Sequence, residues 1–326
     1  MVAKRAHEPD IQYPFFLSHP NSAIKDIYAE LNWRQLIMLI NPKALVDDPE
    51  AVLRNRWQCV LPYAYNRIHL RGLSCSYINA SPVSLGDADH KEKYIACQGP
   101  LDSTASHMWR MAWQQDVSVI VMLTQPVENG IDKCFQYYPK DDSDVFDADE
   151  FKVTLVDKKT HDSKTDVRML QISHGDEQRT IYHFLFKAWP DHGVPHGSDL
   201  AGLFSVMELS RAKNTSQNAR IVHCSAGVGR TGTFIALEYL MGEMDRGAFD
   251  GQCDMDAVFE TVNTIREQRM LMVNEQQLAL IYQVLRERWQ ERQTKQVREA
   301  ERPGKRVRKK PIEDTFESVV YMEKQE

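Results

Sequence analysis

Val222-His223-Cys224-Ser225-Ala226-Gly227-Val228-Gly229-Arg230-Thr231-Gly232 places a cysteine six positions before an arginine, with small residues between. A short β-like run, Arg220 to His223, leads in, and an apolar helical pattern, Thr233 to Met244, leads out. Strand, tight loop and helix in that order make an anion cradle. The loop N–H groups and those of the helix's first turn point at one spot, and the helix dipole adds positive potential there. A thiol on the floor of such a cradle is pushed toward its nucleophilic thiolate form. The cysteine-to-arginine spacing alone is weak evidence, and of the six cysteines only Cys224 has it. Gly227, Gly229 and Gly232 add specificity, because they let the backbone approach a bound ligand closely.

Outward from this loop the periodicities alternate. Apolar spacing predicts helices over Ile24 to Leu39, Ser103 to Gln115, Asp199 to Arg211, Ala257 to Gln268 and Gln276 to Gln293, with a short one at Asp48 to Leu53. Asn274, followed three residues later by Gln277, is the expected cap of the last helix. Short β-like pieces fall at Arg67 to Leu70 and Lys93 to Cys97. Val117 to Leu123 is a continuous apolar run suited to a strand buried on both faces. Phe151 to Val156, Asp166 to Ser173 and Gln178 to Lys187 alternate and read as an antiparallel meander. No internal repeat is visible. The expected fold is α/β of the α+β type: a highly twisted mixed sheet flanked by helices, with the Cys224–Arg230 loop between a central strand and a helix.

With 326 residues, 42% apolar and 26% charged, the composition is that of a globular chain able to bury a sizeable core. A net charge of −6 gives no footprint for non-specific nucleic-acid binding. Cys59, Cys75, Cys97, Cys134, Cys224 and Cys253 are scattered without a Cys-x2-Cys pair, which argues against zinc. Met1 to Asp10 lacks the apolar core of a signal peptide, and no apolar run is long enough to span a bilayer. The expectation is a reducing, cytoplasmic setting with free thiols and no transmembrane segment. The dense basic run from Arg302 to Pro311 reads either as a nuclear-import or docking signal or as a solvated tail.

The complete His-Cys-Ser-Ala-Gly-x-Gly-Arg-Thr-Gly signature resembles that of the protein tyrosine phosphatase family, and the likeness extends from about Asn55 to Arg292. It implies a catalytic domain over 23–293, between an irregular 1–22 and a basic, disordered 294–326. It also implies hydrolysis of phosphotyrosine in proteins, protein kinases among them, by a monomer needing no metal and no cofactor. Cys224 would attack phosphorus, and Arg230 would hold two phosphate oxygens with its planar fork. Ser225, Ala226, Gly227, Val228 and Gly229 would supply the cradle. Thr231 would donate to the sulfur, and His223 would orient the loop; the plainer alternative makes His223 and Cys224 inert residues at a sheet end.

Trp189-Pro190-Asp191, thirty-three positions before Cys224, matches the family's mobile acid loop. Asp191 would protonate the leaving phenolate and Trp189 and Pro190 would brace the loop. Trp57, in Arg54-Asn55-Arg56-Trp57, would stack on the substrate ring unless it is a core aromatic. Cys59 stands where the family commonly has a peptide-binding aspartate. Glu128 would orient Arg230 unless it is a solvated surface charge. Arg266 and Arg269 match an arginine pair beneath the phosphate loop. The family's water-positioning Gln-Thr-x-x-Gln segment maps its second glutamine onto Gln277; the first is replaced, by Val273 or, with a one-residue deletion, by Asn274. Rival readings are a dual-specificity or lipid phosphatase, a catalytically weak phosphotyrosine-binding module, and a metal-dependent phosphatase.

Overall fold

The computed structural model describes residues 11–41, 43–46, 49–142, 144–190, 193–214, 218–251 and 254–300. The chain divides into two compact units, 12–289 and a second made of 1–11 with 290–326. Of the second unit the described part is Ile11 and the end of the last helix. The basic run from Arg302 to Pro311 lies outside the described residues.

Ten strands and seven α-helices carry the fold among the described residues. The strands are β1 (Ala80–Leu85), β2 (Glu92–Cys97), β3 (Val119–Met122), β4 (Val127–Glu128), β5 (Ile131–Asp132), β6 (Val145–Ala148), β7 (Phe151–His161), β8 (Thr165–His174), β9 (Glu177–Phe186) and β10 (Arg220–His223). The helices are α1 (Ala23–Leu39), α2 (Pro49–Val52), α3 (Ala105–Gln114), α4 (Gly197–Lys213), α5 (Gly229–Asp245), α6 (Ala257–Gln268) and α7 (Glu275–Ala300). Eight strands form one mixed sheet in the order β1-β2-β10-β3-β9-β8-β7-β6, and β4 and β5 make a separate hairpin. The central β2, β10, β3 and β9 are parallel neighbours, and the outer pairs are antiparallel. This is the mixed, helix-flanked sheet expected from the sequence.

The burial pattern explains this order. β3 (Val-Ile-Val-Met) and β10 (Arg-Ile-Val-His) are buried at every position, as central parallel strands require. Ile95, Ile120, Met122 and Ile221 join Met108, Trp109 and Met111 of α3 in one apolar cluster on one side of the sheet. On the other side α5 packs against β10 and β2, and α4 against β3 and β9. Accordingly α5 is buried around almost its whole circumference, from Thr231 to Met244. α6 begins at Asp256, whose carboxylate accepts from the Val258 and Phe259 N–H groups at 3.0 Å.

The structure departs locally from expectation at four points. Arg67 to Leu70 forms no strand, only an isolated bridge between His69 and Tyr77. β1, unforeseen, carries Pro82, which is tolerated because β1 is an edge strand. β6 and the β4–β5 hairpin are too short to show a period. The last helix runs past residue 293 to Ala300. Among the described residues no helix is long and apolar enough to cross a membrane.

Candidate active site

β2, β3, β9 and β10 run parallel, so their carboxyl ends open on the same edge of the sheet, where α/β sheets bind ligands. Cys224 follows β10 directly and is 5% exposed. The chain then turns through Ser225 to Val228 into α5, whose first helical residue is Gly229. Gly227 makes the turn possible with φ of +71°, and a Cβ there would lie 1.9 Å from the Cys97 carbonyl oxygen. Neighbouring backbone pins the loop: Leu123 N–H donates to the His223 carbonyl at 2.8 Å and Gly99 N–H to the Ser225 carbonyl at 2.9 Å.

Two groups donate to the Cys224 sulfur, the Gly227 N–H at 3.2 Å and the Thr231 hydroxyl at 3.4 Å. The positive end of α5 faces the same spot. Arg230, in the first turn of α5, is fixed by the Glu128 carboxylate through two bonds, Nη1 to Oε1 at 2.6 Å and Nη2 to Oε2 at 2.8 Å. Glu128 is buried, also accepts from the Thr124 hydroxyl and the Gln125 N–H, and so is no solvated surface charge. Arg230 further donates to the Leu123 carbonyl at 3.1 Å and to the Pro190 carbonyl at 3.4 Å.

A cavity of 640 Å³ opens over the sulfur, lined by Cys224, Ser225, Gly229, Arg230, Glu128, Lys133, Trp189, Gly193, Asn274, Gln276 and Gln277. Trp57 stands beside it: its indole N–H donates to the Ser225 hydroxyl at 3.2 Å and the residue is 41% exposed, which rules out a core aromatic. Arg56 rivets that segment in place by donating to the Gly99 and Pro100 carbonyls at 2.8 and 2.6 Å. Asp191 lies outside the described residues, while Trp189 and Pro190 at the base of its loop are described.

The arginine pair divides. Arg269 lies beneath the loop, donating to the Gly227 carbonyl at 2.8 Å and the Ala226 carbonyl at 3.1 Å. Arg266 does not; it holds the Met272 and Val273 carbonyls, both at 2.8 Å, and Asn32 of α1. Arg266 is within α6, whereas Arg269 is its extended C-cap, so the two side chains leave the helix end in different directions. The segment Arg266 clamps is unusual: Leu271 and the β-branched Val273 both adopt positive φ, +59° and +65°. It delivers Asn274 to the start of α7, where Asn274 N–H donates to Gln277 Oε1 and Gln277 N–H to Asn274 Oδ1, each at 2.9 Å. This reciprocal cap was legible in the sequence.

Behind the loop, His223 Nδ1 lies 3.2 Å from the Cys224 carbonyl oxygen and its Nε2 lies 2.7 Å from the Tyr137 hydroxyl. Burial holds the His223 imidazole down to about 4, helped by the positive charge of Arg56. Burial also pushes the Cys97 thiol up to about 12, so this neighbour is a neutral wall. Tyr137 and Arg56 went unassigned in the sequence, which gives no local signal for contacts formed across the fold. Among the described residues no cluster of His, Cys, Asp or Glu side chains could hold a metal ion.

Comparison with known proteins agrees with this geometry. The family model described as protein-tyrosine phosphatase matches residues 52–287. Tyrosine-protein phosphatase non-receptor type 2 of Rattus norvegicus is 38% identical over 234 residues, covering 68% of this chain and 55% of that protein. Receptor-type tyrosine-protein phosphatase C of Mus musculus is 36% identical over 244 residues, covering 71% of this chain and 18% of that protein. The chain thus spans about half the length, or less, of the curated relatives it matches. Among solved structures, one of PTPN18, concerned with its fingerprint on HER2 tyrosine phosphorylation sites, superposes with a TM-score of 0.74 at 27% identity. That match covers 84% of this chain and 98% of the other. The catalytic domain of human protein tyrosine phosphatase non-receptor type 18 gives 0.73 at 27% identity, covering 82% and 96%. On its sequence, its sheet order and its Cys224–Arg230 loop, the chain belongs to the protein-tyrosine phosphatase family.

Proposed function

We propose that this protein hydrolyses phosphotyrosine in other proteins through a cysteinyl-phosphate intermediate, with residues 23–293 as the catalytic domain. The observation that carries the reading is the Cys224 sulfur at the floor of an open cavity, donated to by Gly227 and Thr231, beside an Arg230 whose fork is held by Glu128. In the first step the Cys224 thiolate attacks phosphorus, an S–P bond forms and the bond from phosphorus to the phenolic oxygen breaks. Asp191 gives that oxygen its proton. Arg230 and the N–H groups of the Ser225 to Gly229 loop stabilise the charge on the equatorial oxygens. In the second step a water attacks phosphorus and the S–P bond breaks. Asp191 takes the water's proton, phosphate leaves and the thiolate returns. Gln277 borders this water's approach, and Trp57 offers its exposed face to the substrate ring.

The relatives support the substrate class, since PTPN18 has been solved in complex with HER2 phosphopeptides. Among phosphotyrosine-containing proteins, protein kinases are one class of substrate in this reading. A monomer acting in signal transduction, in the cytoplasm and, through its basic tail, in the nucleus, completes the reading. The test is release of p-nitrophenol from p-nitrophenyl phosphate, in the presence of chelator, by the wild type and by Cys224→Ser. Turnover by the wild type and none by the variant is expected. Equal rates would remove the proposed nucleophile, and a silent wild type that still captured a phosphotyrosine peptide would make the domain a binding module.

A further inference from the structure

Three buried rings form a chain behind the nucleophile. His183 Nε2, on β9, lies 3.0 Å from the Tyr137 hydroxyl, which lies 2.7 Å from His223 Nε2, and His223 Nδ1 lies 3.2 Å from the Cys224 carbonyl oxygen. All three side chains are fully buried, and His183 Nδ1 has no hydrogen-bond partner.

These contacts admit one arrangement of protons. A carbonyl oxygen can only accept, so His223 carries its proton on Nδ1. A neutral imidazole then has a bare Nε2, which must accept from the Tyr137 O–H. The tyrosine oxygen, its one proton given away, accepts from the proton on His183 Nε2. That leaves a bare lone pair at His183 Nδ1, which agrees with its lack of a partner. The reverse arrangement would set the His223 Nδ1 lone pair against the carbonyl oxygen and bury an unmet N–H on His183, the costlier orphan. The surroundings keep both rings neutral: burial and the fixed charge of Arg168 discourage a second proton on His183, burial and Arg56 one on His223. The nearby Cys134 and Cys97 thiols, pushed up by burial, add no negative charge beside Tyr137.

We infer that His183 is a positioning residue for the nucleophile: by donating from Nε2 to Tyr137 it fixes the direction of the whole chain, so that His223 pulls on the Cys224 carbonyl and holds the loop's N–H groups toward the sulfur. Hydrogen bonds aligned in one direction strengthen one another, so the terminal donor matters although it touches neither sulfur nor substrate. His183 also sits on the strand that leads into Trp189 and Pro190, so the chain ties the base of the acid loop to the nucleophile. This inference rests on the phosphatase reading for its purpose but not for its test.

The test reads proton positions and thiol reactivity, not turnover. In the full-length wild type, ring-nitrogen NMR should find His223 protonated at Nδ1 and His183 at Nε2. His183→Leu removes the terminal donor, and His183→Gln places an amide N–H where Nε2–H stood. Alkylation of Cys224 by iodoacetamide, followed against pH, should slow at least threefold at pH ~6 in His183→Leu and return to within twofold of wild type in His183→Gln. Tyr137→Phe should match His183→Leu, and the double variant should be no slower than either. His223 protonated at Nε2 in the wild type, or His183→Leu alkylating as the wild type does, would overturn the inference. Should His183→Leu not fold, the wild-type nitrogen shifts decide alone. Failure here would leave the Cys224→Ser comparison, and the hydrolase reading, untouched.

Discussion

Arg230 is bound to Glu128 at both ends of its guanidinium, at 2.6 and 2.8 Å, and both side chains are largely buried. A buried carboxylate so placed sets the plane of the fork before any phosphate arrives. Glu128→Gln keeps the shape but removes the charge and turns an amide N–H toward Arg230. We expect kcat/KM to fall between about tenfold and a hundredfold, ~1.4–2.7 kcal/mol, chiefly in kcat. Steady-state kinetics on p-nitrophenyl phosphate measure this, and a variant as fast as wild type would show that Arg230 needs no orienting partner.

Gly227 illustrates the opposite case, in which a backbone and not a side chain is indispensable. A Cβ at this position meets the Cys97 carbonyl oxygen at 1.9 Å, and φ is +71°. Gly227→Ala must therefore push the loop off β2 and break the Gly227 N–H bond to the sulfur. Activity should fall by roughly a hundredfold or more, the range for losing a pre-aimed donor. Gly251→Ala is the control, since nothing lies within 4 Å of its added Cβ and its φ is not in the left-handed region. The control should keep the wild-type rate; equal rates for Gly227→Ala would discard the cradle geometry.

Acid should destabilise the fold in a window set by its buried histidines. His223 is lowered from 6.5 to about 4 and His183 well below its usual value, in both cases first by burial. Between those values the unfolded chain binds protons that the folded chain refuses, so stability rises with pH there and is lost as pH falls. The His223 contribution is full above pH ~6.5 and declines toward pH ~4, by up to about 3 kcal/mol. Urea unfolding at a series of pH values should show the decline beginning above the carboxylate range. A flat stability between pH ~6.5 and ~5 would mean that the two rings are charged in the folded state.

The parts of this site that were legible in the sequence are those whose partners are close along the chain. β10, the loop and the start of α5 are consecutive, and the Asn274–Gln277 cap spans one helical turn. The parts that were not legible depend on chain segments meeting from far away. Tyr137 reaches His223 across 86 positions, and nothing around Tyr137 marks it. The arginines at the end of α6 looked equivalent until the extended backbone of Arg269 sent one under the loop and left Arg266 to brace Met272 and Val273. β1 was hidden for a related reason: its burial comes from pairing with β2, and Pro82 masks its propensity.

The altered water-positioning segment leads to the last prediction. Asn274 and Gln277 both border the cavity, yet each has its side-chain oxygen occupied in capping α7. Each of these two amide oxygens has one of its two lone pairs committed to the cap, so it is held toward the helix and less free to orient the water that attacks a phosphocysteine. Attack should then be less exclusive, and a small alcohol should compete. With glycerol present, phosphoglycerol should form alongside phosphate and rise with glycerol concentration. Gln277→Ala, which strips another polar group from the rim and half of the cap, should raise the phosphoglycerol fraction further. Asn274→Ala should in addition lower stability by about 1 kcal/mol through loss of the cap. If no phosphoglycerol appears at any glycerol concentration, some other group holds the water, and Asp191 becomes the group to test next, since it is the acceptor proposed for the water's proton.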